Sequence, residues 1–193
     1  MLFRSEIGDR LAFLNSEGES HIGEVAVSGN LINNDFNKLN LRSGVQARNH
    51  KSLLSGQTDR YDKLRKLFVE ASYLGLGTDT LYLVSGRLSK GLDMFGASQK
   101  GEARRTRALG DPEAWILEPT AFVRHNLTPT DFLKFFARGQ YTDQVLLSSD
   151  LFAIGGYGSV RGFQPAQETG ERGFSFTAEY AHVFPIGGEG TYV

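Results

Sequence analysis

The sequence predicts an all-β, antiparallel chain built from long strands. Three observations predict it. Several segments alternate apolar and polar residues with period two. Glycine is abundant at 23 residues and aromatics make up 11%, against only 5 prolines, a balance that favours strands over helices. Clusters of Asn, Asp, Gly and Ser fall between the alternating segments, where hairpin turns belong.

Taken in chain order, the first candidate strand covers 3–13 and is followed by a turn cluster at Asn15-Ser16-Glu17-Gly18-Glu19. A second covers 22–32 and ends at Asn33-Asn34-Asp35. The third has the clearest period: Leu39, Leu41, Ser43, Val45 and Ala47 alternate with Asn40, Arg42, Gly44, Gln46 and Arg48. Ser55-Gly56-Gln57-Thr58-Asp59 then leads to a strand at 64–74, and Gly75-Leu76-Gly77-Thr78-Asp79 to one at 80–90. A long connection, 91–113, precedes a strand at 115–125 and a short joint at Thr128-Pro129-Thr130. In the next segment Leu133, Phe135, Ala137, Gly139 and Tyr141 alternate with Phe132, Lys134, Phe136, Arg138 and Gln140. A second long connection, 143–171, leads to a last alternation of Phe174, Phe176, Ala178 and Tyr180 with Ser175, Thr177, Glu179 and Ala181.

These are eight candidate strands of about ten residues or more, the length a tilted membrane strand needs. Asn40, Arg42, Gln46, Arg48, Lys134, Arg138, Gln140, Thr177 and Glu179 would line a wet interior while Leu, Phe, Val, Tyr and Ala face outward. Long connections on one side and short turns on the other suit an outer-membrane barrel. Alternation by itself leaves a soluble β-sandwich equally open.

The net charge of -1 provides no field for a polyanion, so a nucleic-acid partner is not expected. The absence of cysteine excludes a disulfide framework, a thiolate zinc site and a cysteine nucleophile. No run of roughly 18 apolar residues offers a membrane helix, and the first residues lack the pattern of a signal peptide. The chain is therefore expected to be either cytosolic or without its true N-terminus.

The segment Gly155-Gly156-Tyr157-Gly158-Ser159-Val160-Arg161-Gly162-Phe163 surrounds one arginine with four glycines. Such a run can fold back as a tight loop, with Arg161 a rigid fork of donors at its tip. A dinucleotide fingerprint is excluded because its third glycine is out of place and a strand, not a helix, follows. Lys100, Arg104, Arg105 and Arg107 read as a solvated loop, interleaved with Glu102 and lacking aromatic stacking partners. His21, His50, His125 and His182 have no metal-ligand spacing. Trp115 and Tyr141 fit either an interfacial girdle or ordinary packing. No motif assembles a nucleophile, a base and an oxyanion hole, so neither an enzyme nor a cofactor is expected.

The run from Gln140 through Leu146-Leu147-Ser148-Ser149-Asp150 and Ile154-Gly155-Gly156 to Val160-Arg161-Gly162-Phe163 resembles the signature of two-partner-secretion transporters. These are the TpsB, or haemolysin secretion/activation, proteins of the Omp85 superfamily. Gly170-Glu171-Arg172-Gly173-Phe174 and Ala178-Glu179-Tyr180 resemble the segment that follows it in that family, and the likeness is sharp over 138–184. It implies an antiparallel transmembrane β-barrel of roughly sixteen strands preceded by POTRA domains. Residues 143–171 would form a long loop folded into the lumen, its arginine meeting acidic side chains of the wall. On that reading 1–193 is part of the barrel, with about eight of the strands, and the POTRA domains and closing strands lie outside it.

Within the loop the functional positions implied are Gly155, Gly156, Val160, Arg161, Gly162 and Phe163. Glu179, Arg138 and Lys134 are candidate lumen partners, since the strand that carries the family's usual aspartate partner is not in the sequence. The implied function is passage of an unfolded secreted adhesin or haemolysin of the TpsA type across the bacterial outer membrane by a monomeric barrel. Two alternatives stand beside it: an Omp85-type assembly factor for outer-membrane proteins, and a soluble β-sandwich binding module.

Overall fold

A computed structural model describes residues 2–6, 16–54, 57–156, 159 and 163–184. Eight strands form one antiparallel sheet. They are β1 (Leu2–Glu6), β2 (Ser16–Asn33), β3 (Asn37–Leu54), β4 (Gln57–Leu76), β5 (Thr80–Gly91), β6 (Trp115–Asn126), β7 (Asp131–Gln140) and, after a long loop, β10 (Gly173–His182). Within the loop, β8 (Phe152–Ile154) and β9 (Glu168–Gly170) make a separate two-stranded ribbon. Neighbours in the large sheet follow one another along the chain in up-and-down order, with β8 and β9 set aside between β7 and β10.

Seven of the eight expected strands are present, the first (3–13) is seen as Leu2–Glu6 with 7–13 outside the described residues, and three are much longer than their alternation suggested. β2, β3 and β4 run 18, 18 and 20 residues. Ser16–Glu19, expected as a turn, is extended and paired with both β1 and β3. The reason is physical. Alternation is legible where one face meets lipid, but a hairpin projecting beyond the bilayer carries polar residues on both faces and loses the pattern while keeping its ladder.

The connections differ at the two ends of the sheet. Three short turns lie at one end. Asn34 closes the first through its side-chain oxygen, which accepts from the Phe36 and Asn37 amides at 3.1 and 2.7 Å. Gly77 donates to the Thr80 carbonyl in the second, and the Thr128 hydroxyl and Asp131 carboxylate brace the third. The long connections 92–114 and 141–172 lie together at the opposite end, as do the hairpins joining β1 to β2 and β3 to β4.

Polarity across the sheet is inverted relative to a soluble domain. The outward face is apolar and exposed: Val25 is 74% accessible and Val27 78%, with Val45, Leu67, Val69, Leu88, Phe174 and Phe176 beside them. The inward face buries Asp62, Lys66, Ser89, Gln140 and Ser175. No second sheet covers the apolar face among the described residues, which sets aside the β-sandwich. An exposed apolar belt over a wet interior is the arrangement of a barrel wall in lipid. Tyr73 and Tyr82 pair on the outer face near the short turns, with ring centroids 5.7 Å apart, and Trp115 and Tyr141 pair near the long loops at 5.6 Å. Aromatics therefore flank the belt at both ends.

The buried apolar cluster lies at the mouth of the sheet, not along it. Leu146 packs on Ala114 and Ile116 with Leu151 alongside, tying the two long loops together. Leu147, fully buried, sits against Gly110, where a β-carbon would stand 2.7 Å from its methyl group.

Loop 92–114 is built around its charges, and the expectation of a freely solvated basic cluster is corrected. Arg105 is buried because its guanidinium donates to the carbonyls of Glu102, Ala108 and Gly110 and so fills the centre of the loop. Lys100 pairs with Asp111 at 2.8 Å and Arg107 with Glu171 at 2.6 Å. Arg104 and Lys100 remain exposed, Lys100 within its pair with Asp111.

Candidate functional site: a loop clamped to the polar face

The inward alternation of β2 to β5 places opposite charges on neighbouring strands. Glu24 of β2 accepts from Arg42, from Gln46 at 3.0 Å and from Arg87 of β5 at 2.9 Å. Arg87 also reaches Glu70 at 3.5 Å. The Phe68 ring lies under both guanidiniums, 3.6 Å from Arg87 and 5.3 Å from Arg42, and is completely buried. Each such stack is worth about 0.5–2 kcal/mol. A link between β2 and β5 across two intervening strands requires a sheet curved inward, with its polar face concave.

Loop 141–172 descends onto this concave face. A single 3-10 turn, Ser148–Asp150, carries Asp150 to the wall. There the carboxylate is held by Lys66 of β4 at 2.7 Å and Arg48 of β3 at 3.1 Å, with all three side chains largely buried. Arg48 donates also to the Ser149 carbonyl at 2.6 Å, and Gln140 to the Asp150 carbonyl at 2.9 Å. A buried carboxylate between two cations meets the pairing that burial demands, although the Arg48 Nε is buried there without a hydrogen-bond partner. A polar cavity of about 310 Å³ opens beside the clamp, lined by Arg48, Lys66, Arg87, Glu118, Gln140 and Asp150.

Beyond the clamp, β8 lies against β10. Phe152 rests where Gly173 has no side chain, since a β-carbon there would stand 2.1 Å from the ring. Arg138 of β7 donates to the Ala153 carbonyl at 2.8 Å and stacks over Phe152 at 5.1 Å. The chain then turns through Gly155 and Gly156 at φ of +117° and +84°, a conformation open to glycine. A β-carbon on Gly155 would stand 2.2 Å from the Gln164 carbonyl. The Gly156 amide donates to the Phe163 carbonyl at 3.1 Å, and the Ser159 hydroxyl bridges the Gly155 amide and carbonyl. These contacts close a neck between Gly155-Gly156 and Phe163.

The candidate residues fare differently. Gly155, Gly156 and Phe163 form the neck, and Arg138 meets the loop one strand pair away. Lys134 lies opposite Glu179 in register, both on the polar face, with its ammonium 5.2 Å from the Phe132 ring. The Ser159 carbonyl lies 3.5 Å from the Thr177 hydroxyl, one inward position from Glu179. Val160, Arg161 and Gly162 lie outside the described residues. Sequence reasoning placed Arg48 on the inward face but missed Asp150 as its partner. The residues between them number about a hundred, and no local pattern announces a contact across the mouth.

Outside the sheet, Glu171 pairs with Arg107 of the other loop, and that hydrogen bond holds its carboxyl below the usual carboxylate range. Among the described residues no three His, Asp or Glu side chains gather as a metal site.

The family model for haemolysin secretion/activation protein ShlB/FhaC/HecB matches residues 3–187. Two solved structures are similar to the chain. CdiB from Escherichia coli superposes with a TM-score of 0.77 at 20% identity, covering 89% of this chain. CdiB from Acinetobacter baumannii superposes with a TM-score of 0.71 at 18% identity, covering 95%. The chain spans 32% of the length of each. No curated protein sequence matches it.

Proposed function

The chain belongs to the haemolysin secretion/activation protein family of outer-membrane β-barrel transporters, and on that premise we propose that its sheet is part of the wall of a pore exporting a secreted partner protein. The reading extends to a larger barrel, in which further strands pair with β1 and β10, because open strand edges are not tolerated in lipid. The partner would be an unfolded adhesin or haemolysin of the TpsA type, passed to the cell surface by two-partner secretion.

The observation that carries this reading is the seating of loop 141–172 on a concave, mixed-charge wall through Asp150. A wet lumen of alternating charge offers an extended chain weak polar contacts and no continuous apolar strip to hold it. The loop occupies that path and meets the concave face chiefly through polar and ionic contacts, which can exchange for water, so it suits a plug that must move. In the same reading Arg161 is a second fastening to an acidic side chain of the wall, with Glu179 as the candidate partner.

Charge reversal, Arg161→Asp, in the protein expressed with its secreted partner is the test. Secretion is expected to fall tenfold or more, with the barrel still inserted in the outer membrane. Undiminished secretion by the inserted variant would exclude the fastening role.

A further inference from the structure

The outer face of the β3–β4 projection carries a basic hollow that the transport reading leaves unused. Tyr61, Lys63 and Arg65 stand outward on β4, beyond the last apolar position Leu67. Lys51 of β3 is directly opposite Tyr61. The Lys51 and Lys63 ammonium groups both lie over the Tyr61 ring, 5.9 and 5.1 Å from its centroid. With Arg104 from the loop they line a hollow of about 250 Å³ whose single carboxylate, Glu102, already accepts from the Gln99 amide. Three cations thus converge on one site with one acid among them, an arrangement that like-charge repulsion opposes unless an anion enters.

Next to it, on the membrane side, lies a second hollow of about 450 Å³, with Val25, Val45, Ala47, Leu92, Met94 and Phe95 supplying its apolar lining and Arg65 at its rim. Segment 94–98 forms the partition between the two. Phe95 is held there at φ +50° and is 83% exposed. A strained backbone presenting a bare aromatic ring to water is unfavourable on both counts, and insertion of that ring among acyl chains offsets the second.

We propose that the paired hollows form a binding site for a phosphorylated, acylated lipid of the outer leaflet, its phosphate among Lys51, Lys63 and Arg104 and one acyl chain along Val45, Met94 and Phe95. Charge complementarity selects the occupant. The basic hollow lies at the long-loop end, where the outer leaflet's headgroups are, and the apolar one lies toward the bilayer centre. The site rests on the bilayer placement of the outer face, which the fluorescence of Trp115 tests separately.

The protein extracted from outer membranes in mild detergent, then delipidated, is titrated with diphosphorylated lipid A and with the same lipid stripped of phosphate, and bound lipid is counted by native mass spectrometry. The phosphorylated form is expected to bind at least tenfold more tightly. Lys51→Gln with Lys63→Gln should lose that preference, and Phe95→Ser, at an exposed tip where folding is not at stake, should weaken both forms. Equal binding of the two lipids, parental binding by both variants, or displacement of the lipid by millimolar inorganic phosphate alone would each overturn the site.

Discussion

Asp150 shows how much of the loop's position depends on one side chain. Its carboxylate offsets two cations, the buried Lys66 and the partly buried Arg48. Removing one member of such a group leaves the others uncompensated, at a cost of about 3–5 kcal/mol where the site cannot rehydrate. Here it can, by releasing the loop, so the cost should appear as opening and not as unfolding. Asp150→Asn is expected to raise the rate of proteolysis within 143–171 about tenfold and to enlarge the conductance in planar bilayers, with strand content unchanged. Adding Lys66→Met should restore part of the closure, since the pair couples through one contact. Additive effects of the two changes would dismiss the clamp.

Between elements, the two long loops are joined by the apolar cluster and by the Arg107–Glu171 pair. The Glu171 carboxyl is held low by its hydrogen bond with Arg107. A depressed folded value means that the pair contributes in full above the unfolded value of about 4.3 and fades as pH falls through the folded one. Amide exchange in 143–148, corrected for its intrinsic pH dependence, should therefore stay flat from neutral pH to about 5 and accelerate below about pH 4.3. Glu171→Gln should remove that acceleration, and an unchanged profile in the variant would show that the pair does not tie the loops.

Strand existence was legible at this scale because period two survives wherever one face meets lipid, as in Leu39–Arg48 and Phe174–Ala181. The ends of β2, β3 and β4 were not, because beyond the apolar belt polar residues stand on both faces of the ladder, as Asp62 and Lys63 do on β4. The Gly155-Gly156 neck was readable from glycine chemistry alone. Asp150 was not, since its partners depend on how the sheet curves.

For the molecule as a whole, the face assignment makes the sole tryptophan a depth marker. Trp115 points outward at the long-loop end of the apolar belt, its ring tilted against that of Tyr141. In bilayers of brominated lipids its fluorescence should be quenched most by bromine near the headgroups and least by bromine at the acyl-chain ends. Equal quenching at every depth, or none, would mean that this face is not the lipid face.

The placement of the apolar cluster at the mouth has a consequence for how the wall is put together. Leu146 follows β7, whereas Ala114 and Ile116 flank the start of β6. The three meet only when β6 and β7 have paired in the native register, and a slip of one residue would turn Ile116 to the opposite face. A mispaired hairpin would leave Leu146 and Leu147 in water, so the cluster favours the native register and caps the mouth only over correctly matched strands.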